Sequence, residues 1–285
     1  GVSLYLRASH HVPAARNNLR LLLASYVPSA ALWLLSLALP PPWRYLAGAT
    51  AMAIELATPV VGVRIFRRGG AVSASHLPER FGLFTLIVLG ESVVAVASGT
   101  AGTNWRPSSV AGAMAGFVIA ACLWWAYFAF LERAVVIRGV WSVHLYNFGH
   151  LPILISLTMV GVGIQFAIEG AGAQPLAAGA RWALCGGVAL YLLTTSAIYV
   201  TTLRSVRNLG LVVSLTVAAV ALALGFGGGM IPSLALLGIL VVMLVGLVGY
   251  KVLNLALTEG LEGAEPAGMP VESVGEPVGD FVVPR

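Results

Sequence analysis

Apolar residues run almost unbroken along most of this chain, and short polar or turn-forming segments interrupt them at regular intervals. The interruptions leave eight apolar stretches, at 21–39, 45–63, 81–97, 110–131, 151–168, 182–200, 211–226 and 234–253. Each is close to the ~20 residues an α-helix needs to cross a hydrocarbon core about 30 Å thick. The pattern predicts an all-α, polytopic bundle of about eight transmembrane helices filling residues 1–257. The seventh stretch is the shortest and ends in Gly225-Phe-Gly-Gly-Gly229, which predicts a tight hairpin with the eighth. From Thr258 the character changes: Glu259, Glu262, Glu265, Glu272, Glu276 and Asp280 stand among Gly and Pro with little apolar content. Residues 258–285 therefore read as a disordered acidic tail.

Polar residues inside the apolar stretches are the informative ones. Between Phe81 and Ala97 the only breaks are Thr85, Glu91 and Ser92. Glu91 lies eleven residues beyond Arg80, or roughly 16 Å along a helix, near the middle of a bilayer. An ionised carboxylate there costs on the order of 3 kcal/mol, and such residues mark ion or proton pathways. Glu55 sits at similar depth, about 15 Å from the start of the preceding helix. It shares a stripe of small residues with Gly48, Ala51, Thr58, Pro59 and Gly62, a face that lets another helix approach closely. Pro59 lacks an N–H and frees a carbonyl beside the acid. The stretches carry no Lys or Arg at that depth. Glu91 and Glu55 are thus expected to be protonated at rest, to share a proton, or to bind a cation; the bland alternative is interhelical hydrogen bonding. In the fifth stretch Thr158 and Gln165 join Ser92 and Thr58 as candidates to line a pathway, while Gly161 and Gly163 allow close packing.

Composition sharpens the class. Only 9% of the 285 residues are charged, against about 25% in soluble domains, so this is an integral membrane protein. The net charge of +5 is no nucleic-acid signal, because the basic residues cluster between apolar stretches. Of the 16 Lys and Arg, only Arg44, Arg106 and Arg181 fall in one set of alternate loops. That bias predicts both ends of the chain on the cytoplasmic side of the membrane. Cys122 and Cys185 lie within apolar stretches and read as packing residues. The opening Gly1-Val-Ser-Leu-Tyr-Leu-Arg7 lacks Met and reads as the end of an earlier helix, with further helices expected before it.

The histidines (His10, His11, His76, His144, His150) all fall near the expected cytoplasmic boundary, without metal-ligand spacing. His76, Glu79, Arg80 and His150 form a candidate cytoplasmic-face motif. Trp124, Trp125 and Tyr127 read as an interfacial aromatic belt. A weak echo pairs His76-Leu77…Phe81-Gly82 with His144-Leu145…Phe148-Gly149, which suggests a repeat of two-helix units. Phosphate-loop, nucleophile-elbow, zinc-protease and CxxC patterns are missing, so no enzyme, metal or cofactor is expected.

The run His76-Leu-Pro-Glu-Arg-Phe-Gly-Leu-Phe-Thr-Leu-Ile-Val-Leu-Gly-Glu-Ser-Val-Val-Ala-Val-Ala97 resembles the central signature of the bacterial low temperature requirement A (LtrA) proteins. Leu4-Tyr-Leu-Arg7, Glu55 with Thr58-Pro59, Leu123-Trp-Trp-Ala-Tyr127 and Tyr146-Asn-Phe-Gly-His-Leu-Pro152 agree in order. The resemblance implies a polytopic inner-membrane protein named for a growth phenotype, with no transport substrate attached. The leading expectation is a proton- or cation-coupled secondary transporter, using Glu91 and Glu55 on a small solute or ion. A non-transporting scaffold or low-temperature adaptation protein is the alternative, and a membrane-embedded lipid enzyme the third. The bilayer is the expected partner, and a homo-oligomer stays open.

Overall fold

The computed structural model describes residues 13–66, 77–131, 139–171, 174–203 and 209–262. Helices cover all eight apolar stretches: α1 (Pro13–Ala38), α2 (Trp43–Phe66), α3 (Leu77–Ala101), α4 (Pro107–Ala126), α5 (Gly139–Glu169), α6 (178–203), α7 (Leu209–Gly227) and α8 (Ser233–Glu262). Helix α4 ends in a π-helical turn, Tyr127–Leu131, and α6 contains another, Trp182–Gly186. Of these, α3 to α8 are long and apolar enough to cross a membrane. The apolar part of α1, Leu23–Ala38, is shorter.

Helices are the natural outcome in an apolar solvent, because each satisfies its own backbone polar groups. The hydroxyls follow the same rule. Thr58, Thr100, Thr158, Ser214 and Thr216 each donate to the carbonyl four residues earlier, at 2.7–3.0 Å. A Ser or Thr inside a span therefore need not seek a partner on another helix.

Helix α5 is the axis of the bundle. Ile153, Leu157, Val160, Ile164, Ala167 and Ile168 on it are fully buried, and it packs against α3, α4 and α6. Helix α4 also packs on α8, and α7 bridges α6 and α8. Small residues set the spacing. A β-carbon built on Gly163 would lie 2.5 Å from the Leu184 nitrogen, and one on Gly187 2.9 Å from the Ser156 carbonyl oxygen. So α5 and α6 touch backbone to backbone, at the π-helical turn of α6.

Phe81 stacks on His150, Ser92 faces Gly161, and Gly99 meets Gln165 and Ile168. Contacts that ascend together on both helices mean that α3 and α5 run parallel. The first two pairs are each 69 residues apart, close to the spacing of the sequence echo. Helices α1 and α2 pack on each other, and among the described residues α2 meets the rest of the bundle along a narrow contact with α5.

Two boundaries differ from the hydropathy reading. Helix α5 starts at Gly139, well before 151, because Gly139–His150 mixes Gly, His, Asn and Tyr that are polar yet helical. At the other end α8 runs on to Glu262. The hairpin expected at Gly225–Gly229 is present: α7 ends at Gly227, a 3₁₀ turn spans Gly228–Met230, and α8 follows. Arg181 donates to the Gly225 carbonyl at 3.0 Å and caps α7 there.

Candidate functional site

Glu55 faces α1. Ser29 and Trp33, one turn apart on that helix, both donate to Glu55 Oε1, at 2.5 and 3.2 Å. The close approach depends on the small-residue stripe: the Trp33 ring lies against Gly48, and Ala51 is fully buried. Oε1 is thereby fixed as an acceptor. Oε2 makes no hydrogen bond among the described residues. Thr58 turns away and donates to Ile54.

Glu91 points the other way from its neighbour. Ser92 is buried, with its hydroxyl against Gly161 of α5. Glu91 lies on the exposed face of α3 together with Leu83, Ile87 and Val94. Among the described residues it makes no hydrogen bond or ion pair. The structure does not bring the other candidates to it. Thr158 is exposed and bonded to Leu154 of its own helix, and Gln165 donates to Glu169 Oε1 at 2.9 Å, one turn along α5. Among the described residues α2 builds no substantial interface with α3, so Glu55 and Glu91 belong to separate local environments.

The most constructed polar site surrounds His150. The sequence places it near the cytoplasmic boundary; in the structure its side chain, on α5, is fully buried against protein. The early start of that helix carries it into the core. Its Nδ1 lies 2.6 Å from the Tyr146 carbonyl oxygen, and its Nε2 lies 2.8 Å from the Tyr127 hydroxyl. A carbonyl oxygen can only accept, so Nδ1 carries the proton. In the neutral ring Nε2 is then the acceptor and Tyr127 donates to it. Phe81 stacks on the ring with centroids 4.3 Å apart, and Tyr146 packs at 4.4 Å.

Tyr127 opens the π-helical turn of α4, and is fully buried, while Trp124 and Trp125 stay exposed. The expected aromatic belt thus keeps its two tryptophans and loses its tyrosine to the core. The proposed face motif divides likewise: Glu79 and Arg80 are exposed on the first turn of α3, His150 is inside, and His76 lies outside the described residues. Nothing in the sequence ties Tyr127 to His150; for Tyr146 the stretch Tyr146-Asn-Phe-Gly-His150, one helical turn long, is the available signal. No three His, Cys, Asp or Glu side chains converge among the described residues as a metal site requires.

Six apolar helices of spanning length, with α5 at the centre of their packing, define a polytopic integral membrane protein. The family model for the bacterial low temperature requirement A protein (LtrA) matches residues 1–249, and the chain belongs to that family. It is similar to "Uncharacterized protein RA0937" of Rhizobium meliloti (strain 1021), 24% identical over 159 residues, covering 49% of this chain and 37% of that protein. The chain thus matches little more than a third of that relative's length. No solved structure matches.

Proposed function

We propose that this chain works as a proton- or cation-coupled secondary transporter of a small solute, with Glu91 as the principal ion-exchanging group. The observation that carries the proposal is the Glu91 carboxylate midway along a membrane-spanning helix, on an exposed face among apolar side chains. Left ionised in lipid it costs several kcal/mol; neutralised by a proton or a cation it does not. A group that is stable only when loaded is what coupling to an ion gradient needs. Ser92, immediately adjacent and packed on Gly161, ties that position to the central helix. In this proposal the protein resides in a bacterial inner membrane, with the loop-charge bias placing the starts of α3 and α5 on the cytoplasmic side. It acts as a carrier rather than as an enzyme.

Reconstitution tests the proposal. In liposomes with a trapped pH-sensitive dye, an imposed pH gradient dissipates faster with protein than without. Glu91→Gln, which keeps size and loses titration, returns the rate to the protein-free level. Equal rates for the two proteins would remove Glu91 from coupling.

A second reading has its own observation. The two hydrogen bonds from Ser29 and Trp33 make Glu55 a fastener between α1 and α2, the role a scaffold would give it. If Glu55→Gln folds normally and leaves proton flux unchanged, Glu55 is structural.

A further inference from the structure

Between the starts of α3 and α5 lies an open surface cleft of about 280 Å³, lined by Arg80, Phe81 and Phe84 from one helix and Asn147 from the other. By length and apolarity the span of α3 begins at Pro78, which puts Arg80 in its first turn, where basic side chains commonly reach the headgroups. Arg80 is exposed and Asn147 half-buried. Neither the guanidinium nor the carboxamide is engaged by another described residue. Two donors from separate helices therefore face one cleft. A guanidinium offers paired N–H groups that match phosphate oxygens, and the carboxamide adds another donor.

The rest of the lining is apolar and leads out along the helix. Phe84 is half exposed, and Leu83 and Ile87 extend the exposed surface of α3 toward the bilayer middle. A soluble anion would have no use for that track, whereas an acyl chain would cover it. Glu79, the acid next to Arg80, is not part of the lining. Among the described residues the cleft thus presents no carboxylate to receive the ammonium of a zwitterionic headgroup.

We infer that this cleft binds the phosphodiester of an anionic phospholipid, with Arg80 and Asn147 on the phosphate and an acyl chain along Phe84, Leu83 and Ile87. Basic pockets between spanning helices are general recognition sites for anionic headgroups. The inference does not depend on transport. Phe81 presents one surface to the cleft and stacks on His150 with the ring. A bound lipid consequently braces α3 against α5, and binding is readable as stability.

The delipidated protein in detergent is heated with dioleoyl phosphatidylglycerol, with dioleoyl phosphatidylcholine, or with inorganic phosphate. Phosphatidylglycerol raises the unfolding temperature of the wild type, and the other two do not. Arg80→Gln weakens the apparent affinity for phosphatidylglycerol about tenfold, the loss of a charge-assisted bond. Arg44→Gln, a change at another exposed arginine remote in sequence from the cleft, keeps the wild-type response. Asn147→Leu, examined by native mass spectrometry, retains less phosphatidylglycerol than the wild type. An equal response to phosphatidylcholine, or an unaltered response in Arg80→Gln, overturns the inference. A response to inorganic phosphate as large as that to the lipid overturns it in favour of a soluble anion.

Discussion

The backbone contact between α5 and α6 makes Gly163 the most exacting position in the bundle. In Gly163→Ala the new methyl would lie 2.5 Å from the Leu184 nitrogen, 2.7 Å from its Cα and 2.6 Å from its Cβ. Non-bonded heavy atoms settle at about 3.5–4.0 Å, so the two helices must part by roughly 1 Å. No flexible side-chain tip is available to move aside. The same separation opens the contacts of Gly187 with Val160 and Ser156. Overpacking of this kind costs about 1–3 kcal/mol, and two coupled contacts put this site toward the upper end. Alanine returns up to about 1 kcal/mol through helix propensity, which leaves a net loss of about 2 kcal/mol. For a chain of this size that corresponds to a fall of about 4–8 °C in unfolding temperature. Thermal unfolding in detergent, at one fixed scan rate because such unfolding is often irreversible, reads it directly. Gly246→Ala is the matched control. Its β-carbon meets nothing within 4 Å, so it is neutral or slightly stabilising. If the two variants unfold together, the close approach of α5 and α6 is wrong.

Tyr127→Phe removes the donor to His150 Nε2 and leaves a buried acceptor unsatisfied, a loss of about 1–3 kcal/mol that detergent unfolding detects; unchanged stability would deny the hydrogen bond. Glu55→Gln keeps an oxygen for Ser29 and Trp33, whereas Glu55→Leu removes it. The leucine variant should therefore unfold at the lower temperature, and identical stabilities would show that these bonds do not hold α1 to α2. In nitrogen-resolved NMR of labelled histidine, His150 shows the Nδ1–H tautomer at neutral pH; the opposite tautomer contradicts the bond to the Tyr146 carbonyl.

The helices were legible because lipid-facing apolar residues dominate them, and hydropathy measures that preference. The same measure fails where a helix carries polar residues. Gly139–His150 contains His144, Tyr146, Asn147 and His150, and reads as a loop by hydropathy although it is the opening part of the central helix. His150 escapes a polarity rule because its two nitrogens are satisfied by Tyr146 and Tyr127, one of them 23 residues away. Glu55 was legible in a different manner: its small-residue stripe pointed to a close helix, and α1 is that helix. For Glu91 the sequence supplied depth but not direction. Helix α3 is apolar on all sides, so no periodicity distinguishes the face of Glu91 from the face of Ser92. Thr158 and Gln165 looked like pathway residues because their polarity is visible in sequence; their bonds to Leu154 and Glu169, within α5, are not.

Glu91 remains the residue on which the functional proposal turns. Proton flux through purified, reconstituted protein, compared between the wild type and Glu91→Gln at equal incorporation, measures its role most directly. A pH gradient that collapses with the wild type and persists with the variant is the expected outcome. Equal collapse in both, or none in either, contradicts a proton-exchanging Glu91.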